Sequence, residues 1–379
     1  MIGNFELQFA SFKTFLMGSS PSTGLGAIRS RFRFVTEMKS FLAFHLLIAS
    51  VGLFGIGAKA EAPQKRFEFS EPQMGVPFQI ILYASSEAVA NRASTAAFAR
   101  IAEINNTLSN YETDSELSLL GYQSGKGYWI PISDDLYRIV AHAQRLAAET
   151  DGAFDLTVGP LAASWRNARR TQQYPHRDQL AQFLHRVGWR LLRIDHSRQQ
   201  VWLKTPGMRL DPGGIAKGDA LDQALRVLQV CGIRSALVAG AGDIAVSAPP
   251  PGAAGWRIRL TQAEESKSAP PTYVVLSNQA IATSGDLYQF VVIDGKRYSH
   301  IVDPRTGIGL TERRLVSVIA PLGITADSLA TALSVIDLDR VKAVLEGYPE
   351  THALIVTLVN DNPLKQSFGQ FEAFVSGQL

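Results

Sequence analysis

Among its 379 residues the sequence holds a single cysteine, Cys231. One thiol cannot close an intramolecular disulfide, and a cysteine so far from the N-terminus cannot be the lipid-modified residue of a leader. Set between apolar neighbours in "LQVCGIRSALV", it is expected to act as a small buried hydrophobe. An excess of one charge is also lacking, for 37 Lys and Arg stand against 34 Asp and Glu, a net +3. No basic stripe interleaved with aromatics appears, so no nucleic-acid partner is expected. There is no internal repeat. The G-x-x-x-x-G-K-[ST] spacing of a P-loop is absent. No apolar run reaches the roughly 20 residues that a membrane-spanning helix needs.

The longest apolar run, "FLAFHLLIASVGLFGIG", follows Met38-Lys39-Ser40 and precedes Ala58-Lys59-Ala60. A basic start, an apolar middle and an A-x-A end describe a secretory leader. Cleavage is expected after Ala60, with retention as an inner-membrane anchor the alternative. Met38 begins a complete leader by itself, so the expected start is there and residues 1–37 lie upstream of it. No Arg-Arg pair precedes the run, which favours export of an unfolded chain. Residues 1–60 carry six basic side chains against two acidic ones, so the remainder, 61–379, is close to neutral. The protein is therefore expected to be exported or periplasmic.

From residue 61 onward strand and helix signals alternate. "GVPFQIILYA" reads as a strand, and the next run as a helix with Phe98, Ile101, Ile104 and Leu108 on one face. "DDLYRIVAHAQRLAAETDG" reads as a second helix that ends at Gly152. Two hairpins are expected, one from "WRLLRID" and "QVWLKT", the other from "LYQFVVI" and "RYSHIV" around Asp294-Gly295. Pro249–Gly255 and Glu264–Thr272 lie between strand signals and read as surface loops. The expected fold is α+β, one domain spanning 61–379 with mixed or antiparallel sheets flanked by helices.

Several stretches bear polar groups where packing does not require them. In "ITADSLATALSVI" Asp327 and Thr331 share one helical face, which fits either a capped helix start or a pair of hard oxygen ligands for a cation such as Mg2+. "LDPGGIAKGDALDQALRVL" passes from a strand through Gly213 and Gly214 into an amphipathic helix with Leu221, Leu225 and Leu228 inward and Lys217 on the first turn. It fits a diphosphate site or a tight turn with a solvated lysine. Gly240-Ala241-Gly242-Asp243-Ile244-Ala245 imitates a dinucleotide-binding turn. It runs into three prolines instead of a helix, and the Rossmann reading fails. His300 precedes the turn Asp303-Pro304-Arg305-Thr306-Gly307 and is either a proton acceptor or a surface hairpin residue. Thr113-x-x-Glu116 reads as a capping box, with Tyr111 outside it and free to stack on a ring. Phe154 and Asp155 follow the helix-ending glycine, and Pro160 opens the next helix.

Taken in order, "MGVPF", "YETDSELSLL", "GAFDLTVGPL", "DPGGIAKGDALD", "AGDI", "ATSGDLYQF", "RYSHIVDPRTG" and "ADSLATA" resemble the FAD:protein FMN transferases, the ApbE family. The resemblance runs from about Met74 to Ile336. It implies an exported enzyme that uses Mg2+ and takes FAD as substrate, attaching FMN to a Ser or Thr of a partner flavoprotein with release of AMP. It further implies Asp327, Thr331 and the Gly214 carbonyl as Mg2+ ligands, and Met74, Tyr111, Ala153, Phe154, Asp155, Asp211, Lys217 and Ile301 as flavin contacts, with His300 as base. Two rival functions remain: an FAD pyrophosphatase, which shares the site but lets water attack, and a non-catalytic flavin carrier, which needs the FAD pocket but neither the metal pair nor His300. The sequence departs from its relatives at Asp219, where an aromatic is usual, and in "AGAGDI". An acid facing the diphosphate at 219 would weaken FAD binding.

Overall fold

The computed structural model describes residues 63–261, 272–285, 289–360 and 362–376. The leader and most of the Glu264–Thr272 loop lie outside the described residues. The N-terminal hairpin pairs β1 (Lys65–Gln73) with β2 (Val76–Ala84), turning on Met74 and Gly75, both at positive φ. α1 (Glu87–Leu108) follows, capped by the Ser86 hydroxyl, with Phe98, Ile101, Ile104 and Leu108 buried at the spacing of one helical face. Next come α2 (Glu116–Tyr122), α3 (Asp134–Glu149), α4 (Gly159–Thr171) and α5 (Arg177–Leu184), then the hairpin β3 (Leu192–Asp195) and β4 (Gln200–Leu203). The chain continues through α6 (Ala216–Val230), β5 (Ala236–Gly240), β6 (Asp243–Val246), β7 (Gln279–Gly285), the hairpin β8 (Phe290–Ile293) and β9 (Lys296–Ser299), β10 (Arg314–Ala320) and α7 (Gly323–Val335). β11 (His352–Val359) and β12 (Asn362–Phe368) complete the main sheet.

That sheet has eight strands in the order β1-β2-β5-β6-β7-β10-β11-β12, every neighbouring pair antiparallel. The fold is thus α+β, as the sequence implies. Alternation along β2 sends Phe78, Ile80 and Leu82 to the face covered by α1 and α6, while Ile81 and Tyr83 meet a second core built around Trp256, Ile258, Val274 and Phe371. β10 is buried along its whole length because both faces are covered, α7 packing on one and Ile319 joining the second core on the other. A third cluster joins Trp165 of α4 to Val291, Ile293 and Tyr298 of the β8–β9 hairpin. It fixes the loop that leaves β9 at His300.

Two local expectations are corrected. Cys231 is exposed, because the buried face of α6 ends at Leu228 and the cysteine falls on the terminating turn beyond it. Thr113 does not cap α2. Ser115 does, its Oγ accepting from Ser118 N at 3.1 Å, while Glu116 reaches Ser133 N at 2.7 Å and so ties α2 to the start of α3.

Candidate functional site

The Asp211–Gly214 segment enters α6 through two glycines, and a side chain at Gly214 would put its Cβ 2.8 Å from Thr331 Oγ1 on α7. Only glycine lets the loop lie against that helix. A second crossing is tighter still: Cβ atoms at Gly218 and Gly323 would lie 2.1 and 2.5 Å from the carbonyl oxygen of the other residue. The two helices therefore meet backbone to backbone, and the first turn of α6 and the second of α7 deliver Lys217 and Asp327 to the same point.

Lys217 Nζ stands 3.2 Å from Asp327 Oδ2 and 3.0 Å from Asp243 Oδ2. Asp327 Oδ2 also accepts from Gly218 N at 3.1 Å. Asp243 is buried, and its Oδ2 has the lysine's charge beside it but no hydrogen bond. Burial alone would lower the Lys217 ammonium's pKa, but the charges of Asp243 and Asp327 outweigh burial and raise it. Burial, with the charge of Asp327 added, pushes Asp243 up to about 7 against the pull of Lys217. Thr331 Oγ1 lies 3.2 Å from Ser284 Oγ at the end of β7. This end of the site is a cluster of hard oxygens around one ammonium.

The cluster forms one end of a cavity of about 450 Å3. Tyr111, Ala153, Phe154, Asp155, Asp211, Gly214, Lys217, His300, Ile301, Asp327 and Thr331 all line it. Of the metal, flavin and base residues that the resemblance implies, only Met74 does not; it packs against the main core, and Val76 two residues on takes a position on the wall. The apolar walls come from Phe154, Val158, Trp165 and Val302, whereas Tyr111 stands 77% exposed at the rim, with the Arg166 guanidinium 5.6 Å from its ring centre. Arg166 Nη1 in turn donates to Asp211 Oδ2 at 2.8 Å. A flat ring fits the first region and an anionic tail the second. His300 Nδ1 lies 3.1 Å from Gln289 O, and since a carbonyl only accepts, Nδ1 carries the proton in the neutral ring and Nε2 the lone pair.

Sequence reasoning missed Asp243, Ser284 and Arg166. The first two lie within quoted runs, "AGDI" and "ATSGDLYQF", of which Asp286–Tyr288 lie outside the described residues. Asp243 sits in a hairpin turn, Gly240 paired with Asp243, whose glycines imitate a dinucleotide-binding turn and give no local sign of a ligand-facing acid.

Asp219 does not face the Lys217 cluster as the sequence reading supposes. It is 1% exposed and turns away from Lys217 toward α3, where Arg138 Nε and Nη2 donate to its two oxygens at 2.6 and 2.8 Å. It is not among the residues that line the cavity. Asp219→Asn should cost about 2 kcal/mol, below the usual range for a broken buried pair because Arg138 keeps Asp135 as a partner. Chemical denaturation would show this, with FAD affinity unchanged.

Asp155 gives a pH signature. Burial pushes its carboxyl up from 3.8 to about 6, against hydrogen bonds from Thr157. The folded state then holds a proton that the unfolded state releases, so this residue's contribution to stability falls as pH rises from about 4 to about 6. Asp155→Asn keeps an oxygen for both Thr157 bonds and removes the titration. Melting temperatures of the variant should decline less between these pH values than those of the parent; parallel curves would show that Asp155 titrates normally.

Comparison with known proteins gives concordant results. The profile described as "ApbE family" matches residues 74–355. The FAD:protein FMN transferase of Vibrio cholerae is 30% identical over 324 residues, covering 84% of this chain and 96% of that protein. The FAD:protein FMN transferase of Haemophilus influenzae is 30% identical over 271 residues, 70% of this chain and 78% of that one. Among solved structures, the flavin transferase ApbE from Vibrio cholerae superposes with a TM-score of 0.74 at 29% identity, covering 82% of this chain and all of the other. The apo form of the Pseudomonas stutzeri flavinyl transferase ApbE gives 0.71 at 26% identity, with 83% and 98% covered.

Proposed function

The chain belongs to the ApbE family, and from that premise we propose that it transfers FMN from FAD to a Ser or Thr hydroxyl of a partner flavoprotein, releasing AMP, with Mg2+ required. One observation carries the reading: a cavity with an apolar, aromatic end and, at its other end, the Lys217, Asp243, Asp327 and Thr331 cluster. With both carboxylates ionised the cluster holds one positive charge against two negative, which would repel a diphosphate. A divalent cation reverses that sign. The donors fit Mg2+, being oxygens only, with Asp243 Oδ2 buried and short of a hydrogen bond and the Gly214 backbone held so close to Thr331 that a Cβ has no room. Asp327, Thr331 and Gly214 O would hold the ion, and Asp243 is placed to join them. Bound there, Mg2+ would neutralise charge on the phosphate oxygens.

The chain's own residues do the rest. The apolar wall and Tyr111 hold the flavin, while Arg166 and Lys217 supply positive charge along the anionic tail. The acceptor oxygen bonds to the FMN phosphorus as the bond from that phosphorus to the bridging oxygen breaks, and AMP departs with that oxygen. His300 takes the hydroxyl proton and later passes it to solvent. Such chemistry depends on positioning and charge more than on covalent assistance.

The test is to incubate the protein with FAD and Mg2+, with and without a candidate flavoprotein subunit encoded beside it. AMP release together with a covalent, fluorescent FMN adduct on the subunit supports the transferase. Equal AMP release without the subunit would favour the pyrophosphatase instead, and binding with no AMP the carrier.

We place the protein outside the cytoplasm, on the strength of the basic, apolar and A-x-A pattern at 38–60. Fractionation of native cells should give a species beginning at Glu61 whose intact mass shows no lipid. A full-length cytoplasmic species would defeat this.

A further inference from the structure

α7 carries the acid and hydroxyl of the proposed metal site, yet it has no cap of its own. Its N-cap is Leu322, whose side chain makes no hydrogen bond, and its first turn holds no acidic residue. The first amides of that turn, which have no acceptor within the helix, are met from another element. Asp222, one turn along α6 from Lys217 and Gly218, sends Oδ1 to Gly323 N at 2.7 Å and Oδ2 to Ile324 N at 3.0 Å. Asp222 is itself buried, a costly place for a carboxylate unless its oxygens are satisfied. The two amides and the positive end of the α7 dipole satisfy them.

The arrangement is reciprocal. Asp327 of α7 accepts from Gly218 N, an amide in the first turn of α6, while Asp222 of α6 accepts from the first two amides of α7. Between them lies the Gly218–Gly323 contact, where neither chain has room for a side-chain carbon. Each helix thus ends on a carboxylate borrowed from the other, and the two caps fix both the separation of the helices and the register of α7 along α6. Asp327 lies four residues beyond Gly323 and Thr331 four beyond that, so a shift of the α7 N-terminus moves both ligands together.

We propose that Asp222 is a positioning residue of the phosphotransfer site: by capping α7 from α6 it sets where Asp327 and Thr331 stand relative to Lys217 and Gly214. The inference rests on the metal-site reading above, and its test separates the two. In Asp222→Asn one amide nitrogen must face a backbone N–H, so one cap bond is lost. The affinity for Mg2+ alone, measured by calorimetry, should weaken about tenfold, the factor expected from losing one cap. Affinity for FAD without metal, read by flavin fluorescence, should hold, because the aromatic end of the cavity is built from other elements. Asp219→Asn is the matched control, a buried acid on the same helix that touches Arg138 and not α7. It should lose stability with Mg2+ affinity unchanged.

A second readout needs no metal. Amide exchange at Gly218, whose N–H depends on Asp327, should accelerate in Asp222→Asn more than at Ala224 in the same helix. Leu322→Ser, which gives α7 a hydroxyl cap at an exposed and extended N-cap position, should reverse much of the effect and provides a folded background if the single variant is unstable. Unchanged Gly218 exchange in Asp222→Asn would overturn the proposal. So would an equal loss of Mg2+ affinity in the Asp219 control. A parent protein that binds no Mg2+ would instead sink the metal reading, leaving the exchange measurement to decide on Asp222.

Discussion

Asp327→Ala is expected to abolish Mg2+-dependent FMN transfer, with a fall of about 10³-fold or more, since a cation bridging phosphates contributes several kcal/mol of charge stabilisation. The substitution removes both carboxylate oxygens, and with them the acceptor for Gly218 N and one of the two negative partners of Lys217. It therefore touches structure as well as chemistry. Asp327 is only 2% exposed and braces the start of α6. Some loss of thermal stability should accompany the loss of activity. Asp327→Asn separates the two, because its remaining oxygen can still accept from Gly218 while the charge is gone. AMP release and FMN incorporation should be followed across a Mg2+ titration, with circular dichroism as the check on folding. If the alanine variant kept full activity at limiting Mg2+, Asp327 would be removed from the metal site.

The two behaviours of Asp327 share one cause. The oxygen cluster is held by long-range backbone contacts, so the same carboxylate that would bind a cation also closes a helix. This explains what was legible in the sequence and what was not. Helices at Glu87–Leu108 and Ala216–Val230 announce themselves by apolar spacing, and the β8–β9 hairpin by the Asp294-Gly295 turn, because these signals lie within a few residues. Asp327 and Thr331 were readable for the same reason, being one turn apart. By contrast, the partners of Asp222 lie 101 and 102 residues away, and Arg138, the ion-pair partner of Asp219, lies 81 away on α3. No local window contains them. Asp219 and Asp222 look alike from sequence, two acids on a helix, yet one anchors α3 and the other caps α7. Cys231 misleads in the same way, for its apolar neighbours in sequence belong to the last turn of α6 and to the strand beyond, while the residue itself sits on the exposed turn between them.

His300→Ala is expected to lower the transfer rate by about 10²- to 10⁴-fold, the usual contribution of a positioned general base. Its geometry favours that role. β8 and β9 are pinned to α4 through Trp165 and Tyr298, whose ring centres lie 5.0 Å apart, and the Trp165 indole donates to Gly307 O at 2.9 Å beyond the loop. The histidine thus leaves a rigid strand end, and the Gln289 carbonyl selects the tautomer whose Nε2 can take a proton. General base catalysis acts on the transition state, so FAD affinity should change little while the rate collapses. Single-turnover FMN incorporation and flavin-fluorescence titration, run on the same preparation, read the two quantities separately. Should FAD binding weaken in step with the rate, His300 holds the ligand and the base lies elsewhere. Should acceptor transfer vanish while AMP release by water persists, the residue activates the protein hydroxyl specifically. In that case the proton-transfer role is confined to the incoming Ser or Thr, and bond breaking at the diphosphate belongs to the Lys217 and Asp327 end of the cavity.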